Sequence, residues 1–392
     1  MSLLQRRLFL EHAKTFFLSM AVLLLFILMG RALQLRDMLL GLELNIWDTL
    51  RLFGYLSPFF LLIICPIACM LAVFLTFLRM STDRELVALK AGGVSLYQML
   101  PAPLLFSVLC ALFGFWISVY WQAWGMGHFR AEVLDIASGS ARVVVQPGVF
   151  NKDVPDMVMF ARKVDPVNGT LAGVMVEDRR AGDTRMTILA PEGSLDSDYE
   201  NGEIVFLLKN GRSYTEKDDA LSIMGFQEYA VRLSFDSLFQ GVDMGPVKPK
   251  EYTWQRLYDS QNERELQKSD PRMARKIVVE RHKRFVFPIS CVILCIFVIP
   301  IATSFQGLKQ QTGVVMALML FLIYYSLLML GISLGESGDL DPAIGLWVPN
   351  ALFLILGIYG MRLAAQERMP RITEYWNRRP GRKGKKKKED AA

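Results

Sequence analysis

The chain carries little that could serve as a catalyst. Histidine occurs three times in 392 residues, and His12, His128 and His282 stand too far apart to read as a zinc-type cluster. The five cysteines, Cys65, Cys69, Cys110, Cys291 and Cys295, all fall inside apolar runs, where a thiol is a small hydrophobe rather than a disulfide partner. Cys65/Cys69 and Cys291/Cys295 each share a helix face, but no His, Asp or Glu lies within those runs to complete a soft-metal site. The same scarcity removes the parts of a proton relay. No G-x-x-x-x-G-K-[ST] segment occurs, so no phosphate-cradling loop is expected. The expectation is a non-enzyme with no cofactor of its own; if it moves something, the energy comes from a partner.

Charge is also sparse, at 21% of residues with 52% hydrophobic, against about 25% charged in a soluble domain. The net charge of +6 is local. Residues 362–392 hold 11 Lys/Arg against four Asp/Glu, so everything before them is close to neutral. Lys383 and Lys385 to Lys388 read as a solvated basic tail that touches anionic lipid at most, and no basic-aromatic module points to nucleic acid.

The apolar residues are gathered into six blocks, each near the ~20 residues needed to cross a bilayer as helix: Thr15–Leu35, Tyr55–Leu78, Leu100–Trp121, Phe285–Ser304, Val314–Leu334 and Ala343–Leu363. Pro58, Pro66, Pro288 and Pro300 lie inside them and mark kinks, which membrane helices tolerate. Arg6, Arg7 and Lys14 precede the first block, Arg79, Arg84 and Lys90 follow the second, and the basic tail follows the sixth. By the positive-inside rule both termini and the second-to-third connection are cytoplasmic. Trp116, Trp121, Trp124 and Trp347 then sit at the outer interface. Arg281, Lys283 and Arg284, before the fourth block, are an anomalous basic cluster on that side.

Between the third and fourth blocks, short β-rich runs alternate with turn signals: Val143–Val145, Met157–Phe160, Val174–Glu177, Met186–Leu189, Ile204–Leu208 and Tyr229–Leu233. Turns are expected at Asp165-Pro166, Asn168-Gly169, Gly182-Asp183, Asn201-Gly202 and Asn210-Gly211, pairs that accept positive φ or start turns. Such spacing suggests a sandwich or jelly roll. The expected fold is an α-helical polytopic membrane protein with six transmembrane helices and an inserted periplasmic β-jelly-roll-like domain. Residues 1–121 hold helices one to three, 122–270 the β domain with a charged helical exit, 271–365 helices four to six, and 366–392 the tail.

The connection after the second block, Ser81 to Gly93, is the most informative short stretch. Thr82 with Glu85 three residues on reads as a capping box, Leu86 and Leu89 share a face, and Gly92-Gly93 stops the helix. A short helix over 82–92 is where a membrane subunit would meet a cytosolic motor; alternatively Glu85 merely caps the backbone.

The order of these elements, with Asp83-Arg84-Glu85-Leu86-Val87-Ala88-Leu89-Lys90-Ala91-Gly92-Gly93-Val94-Ser95, Gln146-Pro147-Gly148-Val149-Phe150, Gly338-Asp339-Leu340-Asp341-Pro342 and Trp347-Val348-Pro349-Asn350, resembles the LptF/LptG permease family of lipopolysaccharide export, its LptF branch in particular. The similarity covers nearly the whole chain except the tail. It implies a multi-pass bacterial inner-membrane protein that extracts lipopolysaccharide and passes it to a periplasmic bridge. The implied partners are an LptG-like second permease, an LptB-like ATPase dimer that holds the ATP, LptC/LptA-like bridge proteins and the lipopolysaccharide itself. It also implies ATPase coupling through Arg84, Glu85, Leu86 and Leu89, and substrate contact by basic groups at headgroup depth. Arg31 stands at the outer end of the first helix where such a group is expected, though snorkelling alone would explain it. Where the family pattern has a second basic residue three positions on, this chain has Gln34, with Arg36 as a substitute; Lys283 and Arg284 could line the same zone. A secondary transporter, another ABC lipid or lipoprotein exporter, and a non-transport assembly protein are the competing readings. The first lacks mid-membrane ion sites, and the second usually has four spans.

Overall fold

The computed structural model describes residues 3–34, 46–144, 147–151, 156–165, 169–179, 185–198, 201, 203–217, 220–234, 245–259, 268–305 and 310–366. Arg36, the turn at Gly182-Asp183 and the tail beyond Gln366 lie outside the described residues. The chain forms two compact units, one of residues 1–27, 58–123 and 253–392, the other of residues 28–57 and 124–252.

In chain order the helices are α1 (Leu3–Gln34), α2 (Ile46–Thr82), α3 (Glu85–Ala91), α4 (Leu96–Met99), α5 (Pro101–Trp116), a π turn (Ile117–Trp121), α6 (Gln122–Val144), α7 (Trp254–Leu257), α8 (Pro271–Ser304), α9 (Gln310–Ser337) and α10 (Pro342–Ala365). Among the described residues six helices are long and apolar enough to cross a membrane, as expected, and several run past the expected limits: Leu3–Leu33, Ile46–Thr82, Pro101–Ile136, Pro271–Ser304, Gln311–Ser337 and Pro342–Ala365. Pro271 starts α8, with Asp270 accepting from the backbone N–H of Arg272 and Met273, a position where a proline lacks nothing.

The first unit's core lies on α2 and α8, whose most apolar stretches are 78% and 72% buried. Small residues let the helices approach. All five cysteines are buried where α2, α5 and α8 meet, with Cys65 Sγ 4.0 Å from Cys291 Sγ. The thiols of Cys65 and Cys295 donate to carbonyl oxygens on α5. Gly331 of α9 and Gly345 of α10 touch backbone to backbone: a Cβ on either would strike the other's carbonyl. Gly357 lies as close to the α8 backbone at Phe297.

The inserted β domain is borne out as an antiparallel sheet of strands β1 (Phe150–Asn151), β2 (Met157–Asp165), β3 (Thr170–Asp178), β4 (Arg185–Asp198), β5 (Glu203–Lys217) and β6 (Ala220–Ser234), paired in sequential order. They follow one another as hairpins. Three corrections apply to the expected strands. Val143 and Val144 are helical, ending α6, because residues 122–144 continue the third span's helix instead of opening the sheet. The strands are also longer than the runs that announced them. And Asn210-Gly211 is not a turn: it lies inside β5.

That last error has a structural cause. Asn210 and Gly173 both adopt left-handed backbone, φ 54° and 63°. Buried positions along a strand should recur every second residue, but here they skip three, from Leu171 to Val174, Ala190 to Gly193 and Leu208 to Gly211. The ladder omits the same row, Arg162, Gly173, Pro191 and Asn210, while its register continues unchanged on either side. Strands β3, β4 and β5 thus carry the irregularity at one level of the sheet. Gly211 is required there, since a Cβ would strike the Leu189 carbonyl and the Phe226 ring.

Candidate functional site

The coupling segment is built differently from its expected form. The Thr82–Glu85 capping box is not made: Thr82 ends α2, and α3 is led by Arg84 in left-handed conformation, φ 58°, with no side-chain cap. Arg84 turns the chain sharply, its carbonyl accepting the first α3 bond from Ala88. A non-glycine residue there costs of order 1 kcal/mol and persists only where its surroundings fix it. A capping box occurs at the next helix instead, between Ser95 and Gln98 at the start of α4. The glycine stop holds as expected. Gly93, φ 84°, donates to Lys90, and Val94 donates back to Leu89, both at 3.0 Å, the paired bonds of a Schellman end.

Leu86 is buried with Leu8, Met80, Met99 and Ala102, and Leu89 and Val94 pack against the same cluster. The segment is thereby anchored on α1, α2, α4 and α5. Its other side is open: Asp83, Arg84, Val87 and Ala88 are exposed, and Glu85 is half-buried. Close by, Glu11 of α1 joins Arg79 of α2 at 2.6 Å and Arg7 at 3.4 Å. Leu86 and Leu89 therefore hold the helix while Arg84 and Glu85 face away.

The basic residues expected at the headgroups diverge. Arg31 sits in the last turn of α1 and is exposed. Lys283 and Arg284 are not displayed: Arg284 is fully buried, and Lys283 lies 2.8 Å from Glu280. Glu280 Oε1 also accepts from Gln122 Nε2 at 2.9 Å and lies 3.9 Å from Arg284 Nε. The single carboxylate of Glu280 offsets one of the two positive charges, and its bond from Gln122 ties α8 to the start of α6. Arg31 belongs to the other compact unit and is described apart.

Sequence reasoning missed Glu280 because it lies five residues before the expected start of its span. It missed His12 for the same reason at the other end. His12 is buried on α1 with Nδ1 3.2 Å from Thr76 Oγ1, and that hydroxyl donates to the Ala72 carbonyl, so the proton in the His12–Thr76 bond is on Nδ1. Both ionisable groups, Glu280 and His12, stand on the span helices just outside the expected apolar blocks. The resemblance motifs near the last span gain a physical meaning. Asp341 caps α10, Tyr324 Oη donates to Asn350 Oδ1 at 2.8 Å in the interior, and Trp347 Nε1 lies 3.3 Å from His282 Nδ1. In the second unit, Arg130 of α6 is buried against Glu251 at 2.6 Å and donates to the Gly245 carbonyl, tying the chain that leaves β6 back to α6.

The sequence profile of the lipopolysaccharide export system permease family LptF/LptG matches residues 6–363. The lipopolysaccharide export system permease protein LptF of Escherichia coli K12 is 20% identical over 79% of this chain and 81% of its own length, and LptF of Shigella flexneri gives the same figures. An uncharacterized protein of Rickettsia prowazekii is 22% identical over 65% of this chain and 70% of its own.

Proposed function

The chain belongs to the LptF/LptG family of lipopolysaccharide export permeases, and from that premise we propose that it is the LptF-type subunit of an ATP-driven exporter of lipopolysaccharide. It is an inner-membrane permease by family, and a transporter subunit rather than an enzyme. ATP hydrolysis is assigned to an LptB-like dimer, the second half of the pathway to an LptG-like permease, and the onward path to LptC/LptA-like bridge proteins. Both termini and α3 face the cytoplasm and the β domain the periplasm, from the distribution of Lys and Arg.

The coupling segment carries this reading. A motor can move membrane helices only through an element that does not yield first. Here α3 is closed at its end by a Schellman pair and anchored by Leu86. Its exposed side presents Arg84, Val87 and, in part, Glu85. A displacement imposed on that side is delivered to α1, α2 and α5, whose ends share the buried cluster. Arg31 and Arg36 are the candidates for phosphate contact near the outer end of α1, guanidinium forks that donate two parallel bonds where an ammonium donates one.

The test is Glu85→Lys in the assembled transporter. With no capping box to lose, the substitution alters only the exposed face and the charge of the helix's first turn, worth under ~1 kcal/mol. Copurification of the ATPase and lipopolysaccharide release should both fall severalfold, with the permease's melting temperature nearly unchanged, while Glu85→Gln has a smaller effect. An unaltered complex with full export would remove α3 from the motor interface.

A further inference from the structure

The row omitted from the β ladder coincides with a feature that no transport role has absorbed. Along the omitted row an open cavity of about 830 Å³ crosses the sheet, lined from Phe150 of β1 to Arg212 and Tyr214 of β5. Five strands at ~4.8 Å spacing make it about 19 Å long. Three cations line it, Arg162, Lys163 and Arg212, and among the described lining residues there is no carboxylate. Arg179 and Arg185 both reach Glu177, and Arg232 reaches Glu203, whereas the three trench cations form no ion pair among the described residues.

The trench is also shaped by the chain's own irregularity. Gly173 leaves room for the stem of Arg162: a Cβ there would lie 3.0 Å from Arg162 Cβ and 3.5 Å from its Nε. Apolar surface flanks the charges. The rings of Phe150 and Phe160 lie 4.9 Å apart, and Phe150 and Leu189 are 56% and 42% exposed. Unbalanced cations in a concavity concentrate positive potential, and exposed apolar groups beside them favour a ligand that is anionic and apolar by turns.

We propose that this trench docks an extended acidic peptide segment of a partner protein, its carboxylates meeting Arg162, Lys163 and Arg212 and its apolar side chains covering Phe150, Phe160 and Leu189. An acyl chain gains only by leaving water, and the trench is open along its length. A peptide needs no enclosure, and about six extended residues at ~3.3 Å each span its length. Alternating acidic and apolar residues match the mixed lining, and the bond count comes from charge-assisted contacts that an alkyl chain cannot make.

The experiment uses the full chain in phosphatidylcholine nanodiscs and a fluorescein-labelled peptide of alternating Glu and Leu, with empty nanodiscs as control, read by fluorescence anisotropy. Binding above the empty-disc level is expected. It should weaken about tenfold in the Arg162→Glu/Arg212→Glu double variant, fall in the same direction with Arg162→Gln/Arg212→Gln, and persist in Arg179→Glu, whose charge lies elsewhere. Each variant is checked by its thermal unfolding, and the milder pair keeps the test alive where the reversal unfolds the domain. The proposal is overturned if the Gln pair binds like wild type, if Lys–Leu or Gln–Leu peptides bind equally, if inorganic phosphate or phosphatidate vesicles displace the peptide while Glu–Leu holds no advantage over Gln–Leu, or if no binding exceeds the control.

Discussion

Helices α1 and α2 are nearly alike in hydropathy, 2.3 and 2.8 over their most apolar stretches, yet those stretches are 6% and 78% buried. The difference lies in residue size, not in polarity. Through its centre α2 places Cys65, Ala68, Cys69 and Ala72 at helical spacing, all essentially inaccessible, and neighbouring helices close on them. The corresponding part of α1 carries Leu18, Val22, Leu25, Phe26 and Met29, all exposed; its buried stripe of Leu8, His12 and Phe16 stops short of them. In a bilayer an apolar surface is at no disadvantage against lipid, so helices associate through close packing and polar contacts rather than through hydrophobicity. Hydropathy therefore finds both helices, and only the small residues say which one is central. The bare face of α1 is left for lipid or a further subunit.

The largest effect should come where two backbones meet. Gly331→Val places its Cβ in the Gly345 carbonyl, which cannot yield without parting α9 from α10; a loss of order 5 kcal/mol or more is expected, seen as failure to accumulate or a collapsed melting transition in detergent. Gly30 on α1, with nothing within 4 Å of an added Cβ, is the contrast: Gly30→Val should leave melting nearly unchanged. If both behave alike, close packing is not what separates the central helices from α1.

Next in size is the buried charge group. Glu280→Gln keeps the shape and a partner for Gln122 but removes the negative charge beside Lys283 and the fully buried Arg284, a cost of about 3–4 kcal/mol. Glu280→Gln/Arg284→Met should regain much of it. Melting of the single and double variants checks this, and a double variant no better than the single would mean the ion pair is not the source. A third pair tests α1 against α2 directly. Phe74→Ala on α2, fully buried, should cost about 3 kcal/mol, and Phe26→Ala on α1, 73% exposed, under ~0.5 kcal/mol.

The pattern of what was legible follows the same logic. Six spans, an inserted antiparallel domain and the Gly92-Gly93 stop could be read because hydropathy, alternation and glycine's freedom at positive φ are local properties. Residues 122–144 were misjudged because polar helix and loop have similar composition. Asn210-Gly211 was misplaced because the same left-handed preference serves a turn between strands or a bend within them, and only the matching irregularities at Gly173 and Pro191 on neighbouring strands decide. Arg284 looked like a displayed cation because the carboxylate it faces, Glu280, lies a turn away on a helix expected to be solvated, and Gln122, which holds that carboxylate, lies 158 residues earlier. The Thr82–Glu85 box was a sound local reading overruled by the long continuation of α2. Among the candidate site residues, Leu86 and Leu89 stand as anchors, Arg84 and Glu85 face outward and Arg31 is exposed; Lys283 and Arg284 sit beside Glu280, and Arg36 lies outside the described residues.

Arg31 gives the smallest expected change in stability and returns to α1. It stands in that helix's last turn, where a cation gains from the unpaired carbonyls at the helix end, an effect of about 0.3–1 kcal/mol. Snorkelling and substrate contact both place a guanidinium there, and they part company on what replaces it. Lys can snorkel as well as Arg, but it cannot form the two parallel bonds to a phosphate. If α1's outer end only positions the helix, Arg31→Lys should match wild type in every assay. If the guanidinium meets lipopolysaccharide phosphate, Arg31→Lys should lower photo-crosslinking of lipopolysaccharide to the assembled transporter and Arg31→Glu should lower it further, by severalfold, while melting and ATPase copurification stay within error of wild type. Wild-type crosslinking by Arg31→Glu would reduce this end of α1 to what the rest of its exposed face already is, a surface for lipid.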